Sequence, residues 1–352
     1  MSKEKIVGKQ SVSFQNPPVI TGYASVVGKK EGEGPLGKYF DIVDQDALFG
    51  GDNWEDAESR LQKMTAELAI KKAMLEPKDI RYIFAGDLLG QLIATSFGIV
   101  DLEIPLFGVY GACSTMGESM SLGALLVDGG YADHIVAMTS SHNASAEKQF
   151  RFPLEYGTQR PLAATWTVTG SGAVVISSKE KADSVKSNNI TDEAVVEIKG
   201  ITTGKIMDYG VKDSMNMGAC MAPAACEVIS QNLDDFKLSP AYYDKIITGD
   251  LGFVGQKILI DLLMEKGYDI SHNHMDCGIE IYNADTQDTH AGGSGCGCSA
   301  STLCGYVMDK MKKKEWKRVL FVPTGALLST VSFNEGNSVP GIAHGVMLEV
   351  KE

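Results

Sequence analysis

The sequence has no continuous apolar run of the ~18 residues that a membrane-crossing helix needs, so residence at a membrane is expected to require a protein partner. Positive charge is scarce: 32 Lys and Arg stand against 45 Asp and Glu, for a formal net charge of -13. That balance argues against a nucleic-acid partner and against direct adhesion to anionic lipid. Residues 1–16 are polar and mixed in charge and lack the apolar core of a signal peptide, so no targeting segment is expected. A disulfide framework is missing too. The seven cysteines are an odd number and include Cys296-Gly297-Cys298, which suits reduced thiols in a cytosol-like compartment.

What is present is a globular composition, 44% hydrophobic and 22% charged, over 352 residues. That length accommodates two ordinary domains or one large duplicated one. The most informative residue is Cys113. Residues 104–114 read as a buried strand running into a tight turn with this cysteine at its apex, and a helical run, 115–127, follows at once. A cysteine so placed is expected to aim its sulfur at the helix N-terminus. Free amides and the dipole there lower a thiol pKa and favour a nucleophile or an anion-facing group. A nucleophile also needs a base and an oxyanion-stabilising partner, and neither stands where it is expected.

The chain repeats itself. After a first strand at 19–27 and an exposed Gly- and Lys-rich loop at 28–35, the spacing of Leu61, Met64, Leu68 and Ala69 predicts a helix over 56–74. Tyr82-Ile83-Phe84-Ala85-Gly86-Asp87 and Lys245-Ile246-Ile247-Thr248-Gly249-Asp250 are two apolar strands ending in Gly-Asp. Gly111-Ala112-Cys113-Ser114 is matched by Cys296-Gly297-Cys298-Ser299, and 26 positions separate Cys113 from Thr139 and Cys298 from Thr324. Between them each copy has a helix (116–127; 300–310) and an apolar strand (134–138; 319–322), and each half ends in a further strand (172–176; 345–350). Repeats of roughly 160 residues exceed any solenoid period. Two similar α/β halves around a pseudo-twofold axis are expected, 1–185 with the cysteine elbow and 186–352.

Other motifs invite chemistry with weaker warrant. Ser271-His272-Asn273-His274-Met275-Asp276-Cys277, with His290, has zinc-ligand residue types. It lacks a second spaced pair and precedes an apolar strand at 278–282, so a polar loop-to-strand transition is expected and no metal. Gly292-Gly293-Ser294-Gly295-Cys296-Gly297 precedes a helix and suits either an anion cradle or a tight turn for close packing; it is no P-loop. Cys220, Cys226 and Cys304 read as small core residues. Lys312-Lys313-Lys314 reads as a solvated helix end.

A duplicated α/β chain with a cysteine at a first-half strand-to-helix elbow resembles the thiolase superfamily, and beta-ketoacyl-ACP synthase III in particular. Longer strings resemble the stage V sporulation protein AD family: Tyr209-Gly210-Val211-Lys212-Asp213, Asn216-Met217-Gly218-Ala219, Met221-Ala222-Pro223-Ala224-Ala225, residues 150–161, and Val339-Pro340-Gly341-Ile342-Ala343-His344. The resemblance covers nearly the whole chain from about residue 20. It implies a thiolase-like duplicated α/β fold in layers α-β-α-β-α. It implies a dipicolinic acid-binding component of a spore membrane channel system, needing no cofactor. The implied partners are dipicolinic acid or its calcium chelate, integral membrane SpoVA proteins and a second copy of the chain. The implied location is peripheral, at the forespore or spore inner membrane.

In the condensing enzymes a second-half histidine ends the strand that here reads Ile246-Ile247-Thr248, and an asparagine stands at the second-half elbow. The resemblance places Gly249 or Asp250, and Cys296, at those positions. Neither Gly nor Asp acts as a neutral imidazole donor, and a thiol is a poor oxyanion donor. Loss of one such donor costs about 10²- to 10³-fold in rate, so no catalytic residue is expected. The alternative is an acyltransferase using Cys113 with His142 or His290 as a rearranged base. A third reading is a scaffold with a vestigial cavity.

Dipicolinate is flat, aromatic and dianionic, so its site needs cations, donor amides and a stacking surface. Ser140-Ser141-His142-Asn143 ends a central strand, where ligands gather in parallel sheets. Lys148, Phe150, Arg151, Tyr156, Gln159, Arg160 and Trp166 follow. The expected ligand set is Cys113, Ser140, His142, Arg151, Gln159, Arg160, Asp87 and Cys296. Arg151 and Arg160 serve equally well as salt-bridge residues. Asp87 and Asp250 would meet a dianion only through calcium or water, or else bind their own turns.

Overall fold

The computed structural model describes residues 5–151, 159–186 and 194–351, without the side chains of 183–186. Ten strands follow one another along one sheet path: β1 (Val19–Val27), β2 (Tyr82–Gly86), β3 (Leu106–Gly108), β4 (His134–Ser141), β5 (Gly170–Ser177), β6 (Val196–Thr202), β7 (Lys245–Thr248), β8 (His274–Asp276), β9 (Arg318–Val322) and β10 (Gly345–Val350). Their spatial order is β3-β2-β4-β5-β1, then β6-β10-β9-β7-β8. The second run mirrors the first. In each, the strand ending in Gly-Asp pairs in parallel on both sides, and the last strand is antiparallel to its neighbours. β1 and β6 join the two runs through the antiparallel pairs Val19↔Glu197 and Ile20↔Val196.

Six helices matter for the site: α1 (Trp54–Lys72), α2 (Thr115–Asp128), α3 (Asn143–Phe150), α4 (Met217–Phe236), α5 (Gly252–Glu265) and α6 (Cys296–Thr302). Side-chain alternation along the strands assigns the layers. Ile135 and Ala137 of β4 and Val319 and Phe321 of β9 face one shared core with Met116 and Met120 of α2 and Cys298 and Ala300 of α6. Val136 and Met138 face Ala66, Ala69 and Ile70 of α1 on one outer side. Leu320 and Val322 face Val228, Ile229, Leu259 and Leu263 of α4 and α5 on the other. The order is helix, sheet, helix, sheet, helix. α1 starts at Asn53, whose side chain accepts the Asp56 N–H at 3.0 Å.

Three local expectations change. The elbow strand is not buried: β3 is three residues long with Leu106 40% and Phe107 49% exposed, because among the described residues it is the sheet edge and pairs only with β2. The stretch at 28–35 is not a plain exposed loop, since Lys29–Gly32 makes one helical turn and buries Glu31 against the Thr169 N–H. Cys277–Glu280 is helical, not a strand, because the Asp276 carboxylate accepts the Ile279 N–H and caps the turn.

α6 rests on β5 at backbone distance. A Cβ built on Gly172 would lie 2.2 Å from the Ala300 carbonyl oxygen. Gly172→Ala is therefore expected to lower stability by at least about 1–3 kcal/mol, read as a reduced denaturation midpoint; an unchanged midpoint would refute the close contact.

Candidate functional site

β3 delivers the chain into a turn closed by its own side chains. Ser114 donates its N–H and hydroxyl to the Gly111 carbonyl at 3.0 and 2.7 Å, and Thr115 Oγ1 donates to the Ala112 carbonyl at 2.7 Å. Ala112 takes φ +48°, a left-handed conformation costly for a residue with a Cβ. The second half presses on this elbow from outside, since a Cβ on Gly325 would stand 2.3 Å from the Gly111 oxygen.

Cys113 is buried at the apex, close enough to Asp250 for that carboxyl's charge to act on its thiol. Asp250 also accepts the Gly295 N–H at 3.0 Å and the Thr324 hydroxyl at 2.8 Å. Cys296 packs beside Cys113 with Leu88 and Ala146, and its own thiol donates to the Ala112 carbonyl at 3.0 Å. The expected lowering of the Cys113 pKa is overturned. Burial first, then the Asp250 and Cys296 charges, push the thiol well above its ordinary range, against a smaller opposing effect of the Gly295 N–H. Burial also pushes the Asp250 carboxyl up to about 7.

Arg151 lines the same cavity, which is small, about 40 Å³, and otherwise mostly apolar through Leu88, Tyr110, Phe150 and Leu328. Its guanidinium pairs with Glu147 Oε1 at 2.9 Å, one helical turn back. Glu147 Oε2 and the Ser294 hydroxyl, in the same wall, are buried without hydrogen-bond partners among the described residues.

The remaining sequence-derived residues lie elsewhere. Ser140 donates to Glu58 Oε1 at 2.8 Å and accepts from the Gln62 amide at 2.8 Å, inside the protein. Asp87 binds its own turn, accepting from the Leu89 N–H, the Thr95 N–H and the Thr95 hydroxyl. His142 caps α3: its Nδ1 accepts the Ala144 N–H, so Nε2 carries the proton and donates to the Ala47 carbonyl. His290 bonds the Pro161 carbonyl and Asp288. Neither histidine lines the Cys113 cavity. Gln159 is exposed, and Arg160 stacks on Trp166. Tyr156 lies outside the described residues.

His274 bonds Thr248 and Gln256, and among the described residues no three metal-binding side chains converge. The glycine-rich stretch is a close-packing turn. Gly295 sits at φ +97°, and a Cβ on Gly297 would meet the Gly170 oxygen at 2.2 Å. Sequence reasoning missed Glu147, although its i,i+4 spacing to Arg151 was visible. It also missed Glu58, whose position three before Leu61 puts it on the buried face of α1.

Two mirrored five-strand runs, with a cysteine at the first helix elbow facing the second half's loops, define a thiolase-fold protein. Solved structures bear this out. They include 3-oxoacyl-[acyl-carrier-protein] synthase III from Aquifex aeolicus VF5 (TM-score 0.55, 13% identity, 94% of this chain and 99% of that one). Acat5 thiolase from Ascaris suum in complex with coenzyme A gives a TM-score of 0.57 at 12% identity, over 95% of this chain and 100% of that one. A variant of OleA from Xanthomonas campestris gives 0.58 at 13%, over 96% and 99%. Such likenesses speak for fold alone. The sequence narrows the class: the family model "Stage V sporulation protein AD (SpoVAD)" matches residues 8–349. Stage V sporulation protein AD of Bacillus subtilis (strain 168) is 41% identical over 345 residues, 98% of each chain. The chain belongs to the stage V sporulation protein AD family.

Two outcomes test this geometry. Iodoacetamide at neutral pH should label Cys113 slowly, and Asp250→Asn should speed that labelling about tenfold or more, one pKa unit being a factor of ten in thiolate. Mass spectrometry reads the site, and rapid labelling of the parent protein would contradict the raised pKa. Burial, then the Asp87 charge, push Glu58 from 4.5 up to about 8. Folding therefore takes up a proton between those values, so this stability is present below about pH 4.5 and is lost as pH rises through about 8. Glu58→Gln should flatten the fall in melting temperature from pH 5 to 9 by a few degrees; an unaltered slope would locate the effect elsewhere.

Proposed function

We propose that this chain is a catalytically inactive thiolase-fold protein that binds dipicolinic acid, alone or as its calcium chelate, and supports its uptake into the developing spore. The observation that carries this reading is the pairing at the elbow. The buried Cys113 thiol lies beside the Asp250 carboxyl, whose charge holds the proton on it, and Cys296 packs at its other side. A protonated thiol facing a carboxylate has neither the thiolate nor the imidazole that acyl transfer needs. Arg151 offers the fork for a ligand carboxylate, and Phe150 the aromatic face. The cavity of about 40 Å³ is smaller than a ring acid, so admission displaces the Phe150 and Arg151 side chains that close it. Glu147 repels a dianion unless calcium stands between them, which favours the chelate.

Partners follow from the same reading. Among the described residues no helix is long and apolar enough to cross a membrane, so attachment at the spore inner membrane runs through integral membrane SpoVA proteins. A homodimer is proposed along the unpaired edge β3, flanked by exposed Phe97, Val100, Phe107 and Tyr110. The apolar wall around Cys113 favours a second reading, transfer of an acyl group to that thiol.

Isothermal titration should give saturable dipicolinate binding that Arg151→Ala weakens at least about tenfold. Glu147→Gln should weaken the calcium dependence specifically. Unchanged binding in Arg151→Ala would sink this site. A thioester on Cys113 that forms and turns over with acyl-CoA, seen by mass spectrometry, would establish the second reading instead.

A further inference from the structure

The net charge of -13 is an average that one part of the surface contradicts. Residues 309–318 hold six basic residues against two acidic ones, in a chain where acids outnumber bases 45 to 32. They run from a short helix, Met308–Lys312, through a turn into the first residue of β9. The turn projects from the fold: Lys313, Lys314, Glu315 and Lys317 are exposed, and Lys314 takes φ +60°. Lys310 pairs with Glu315 at 2.6 Å and Lys313 with Asp309 at 2.9 Å. Among the described residues no carboxylate comes within salt-bridge distance of Lys314 or Lys317.

Half-buried aromatic rings form the base of this turn, and lysines lie on them. Tyr39, Tyr306 and Trp316 follow one another in tilted contact, with centroids 4.9 and 5.4 Å apart. Lys38 lies 5.1 Å from the Tyr39 centroid, Lys310 5.6 Å from Tyr306 and Lys245 5.9 Å from Trp316. Acids border the patch as well. Asp244 accepts the Lys317 and Arg318 N–H groups, Glu349 stands opposite Arg318 in the β9–β10 register, Glu280 lies near Lys245, and Asp41 pairs with Lys72. Lys38, Lys72, Lys245 and Lys351 offset these, so the surplus of the turn remains positive. Half-buried rings with lysine stems along them and ammonium heads in water are the arrangement of a water–lipid boundary. Rings already covered by lysines offer no face to stacked bases, which argues against single-stranded nucleic acid. The excess acid of the remaining surface is no obstacle, because charges more than about 10 Å from a charged plane are screened at 0.1 M salt.

We propose that this turn is a contact site for an anionic lipid surface, with Lys313, Lys314 and Lys317 on headgroup phosphates and Tyr306 and Trp316 at the boundary. Lys245 starts β7 and Asp250 follows its end, so the patch lies away from the elbow, and it shares no residue with the wall of the Cys113 cavity. The contact needs no protein partner and adds to any attachment that one supplies.

The experiment sediments the full chain with vesicles of phosphatidylglycerol and phosphatidylcholine, and with vesicles of phosphatidylcholine alone. At about 0.1 M salt the protein should sediment with the anionic vesicles only, and at about 1 M salt with neither. A lysine near such a surface is worth about fivefold in binding. The combined variant Lys313→Gln, Lys314→Gln and Lys317→Gln should therefore bind about a hundredfold more weakly. Lys63→Gln, Lys78→Gln and Lys257→Gln together change the net charge equally at other surface positions and should alter binding less than about twofold. Circular dichroism checks folding. Lys314→Glu, a single exposed change, should weaken binding about twentyfold and serves if the combined variant does not fold. Absence of sedimentation with anionic vesicles at 0.1 M salt overturns the proposal, as does equal sedimentation with both vesicle types. Equal loss in the two combined variants overturns it too. Tighter binding of a short DNA duplex at the same phosphate concentration would assign the patch to nucleic acid instead.

Discussion

Asp250 joins the two halves at their cysteine-bearing turns. It follows β7, accepts hydrogen bonds from the Gly295 amide that opens α6 and the Thr324 hydroxyl beyond β9, and sets its charge against the first-half thiol of Cys113. A carboxyl group out of water needs donors, and these come from two separate loops. The Cys296 thiol, donating to the Ala112 carbonyl, ties the start of α6 to the elbow before α2. Glycines at 170, 172, 295, 297 and 325 make that approach possible, because a Cβ at 172, 297 or 325 would strike a neighbouring carbonyl. The chemistry of the elbow follows from the same charge. A buried thiol beside a carboxyl charge holds its proton, and a helix N-terminus alone does not reverse that.

The interior near the elbow is acidic throughout. Glu58, Asp87, Asp250 and Asp276 are buried, and burial raises the pKa of each. Serine, threonine and backbone donors satisfy them. The cations lie apart from these acids: Arg151 lines the Cys113 cavity paired with Glu147, and Arg160 is packed against Trp166 and paired with Asp288. A buried acidic interior of this kind disfavours forming an anion at the sulfur.

Much of the architecture was legible. The recurring Gly-Asp strand ends and the equal spacing from cysteine to threonine anticipated the mirrored strand order, and Gly345–Val350 falls where expected. Burial on both faces left continuous apolar runs such as Ile135-Val136-Ala137-Met138, which are easy to read. β3 was misjudged because an apolar run does not reveal whether a strand lies at a sheet edge. The turn Cys277–Glu280 was misjudged because its cap, Asp276, is recruited by loops about 25 residues away in sequence. At the site, Cys113, Asp250 and Cys296 were all visible as candidates. Local sequence gives no distance between positions 113, 250 and 296, so it did not tell which groups would share a hydrogen bond.

The sequence by itself determined the two-halved α/β plan, the cysteine at the elbow and the absence of a histidine at the end of β7. These depend on periodicity, turn residues and residue identity, which are local properties. The tertiary structure decided the state of the thiol and the division of the cationic residues. Arg151 turned to Glu147 beside Cys113, whereas Arg160, nine positions on, packed against Trp166 near Lys30. Those outcomes rest on desolvation and on charges brought together from distant parts of the chain, and only the folded arrangement sets both.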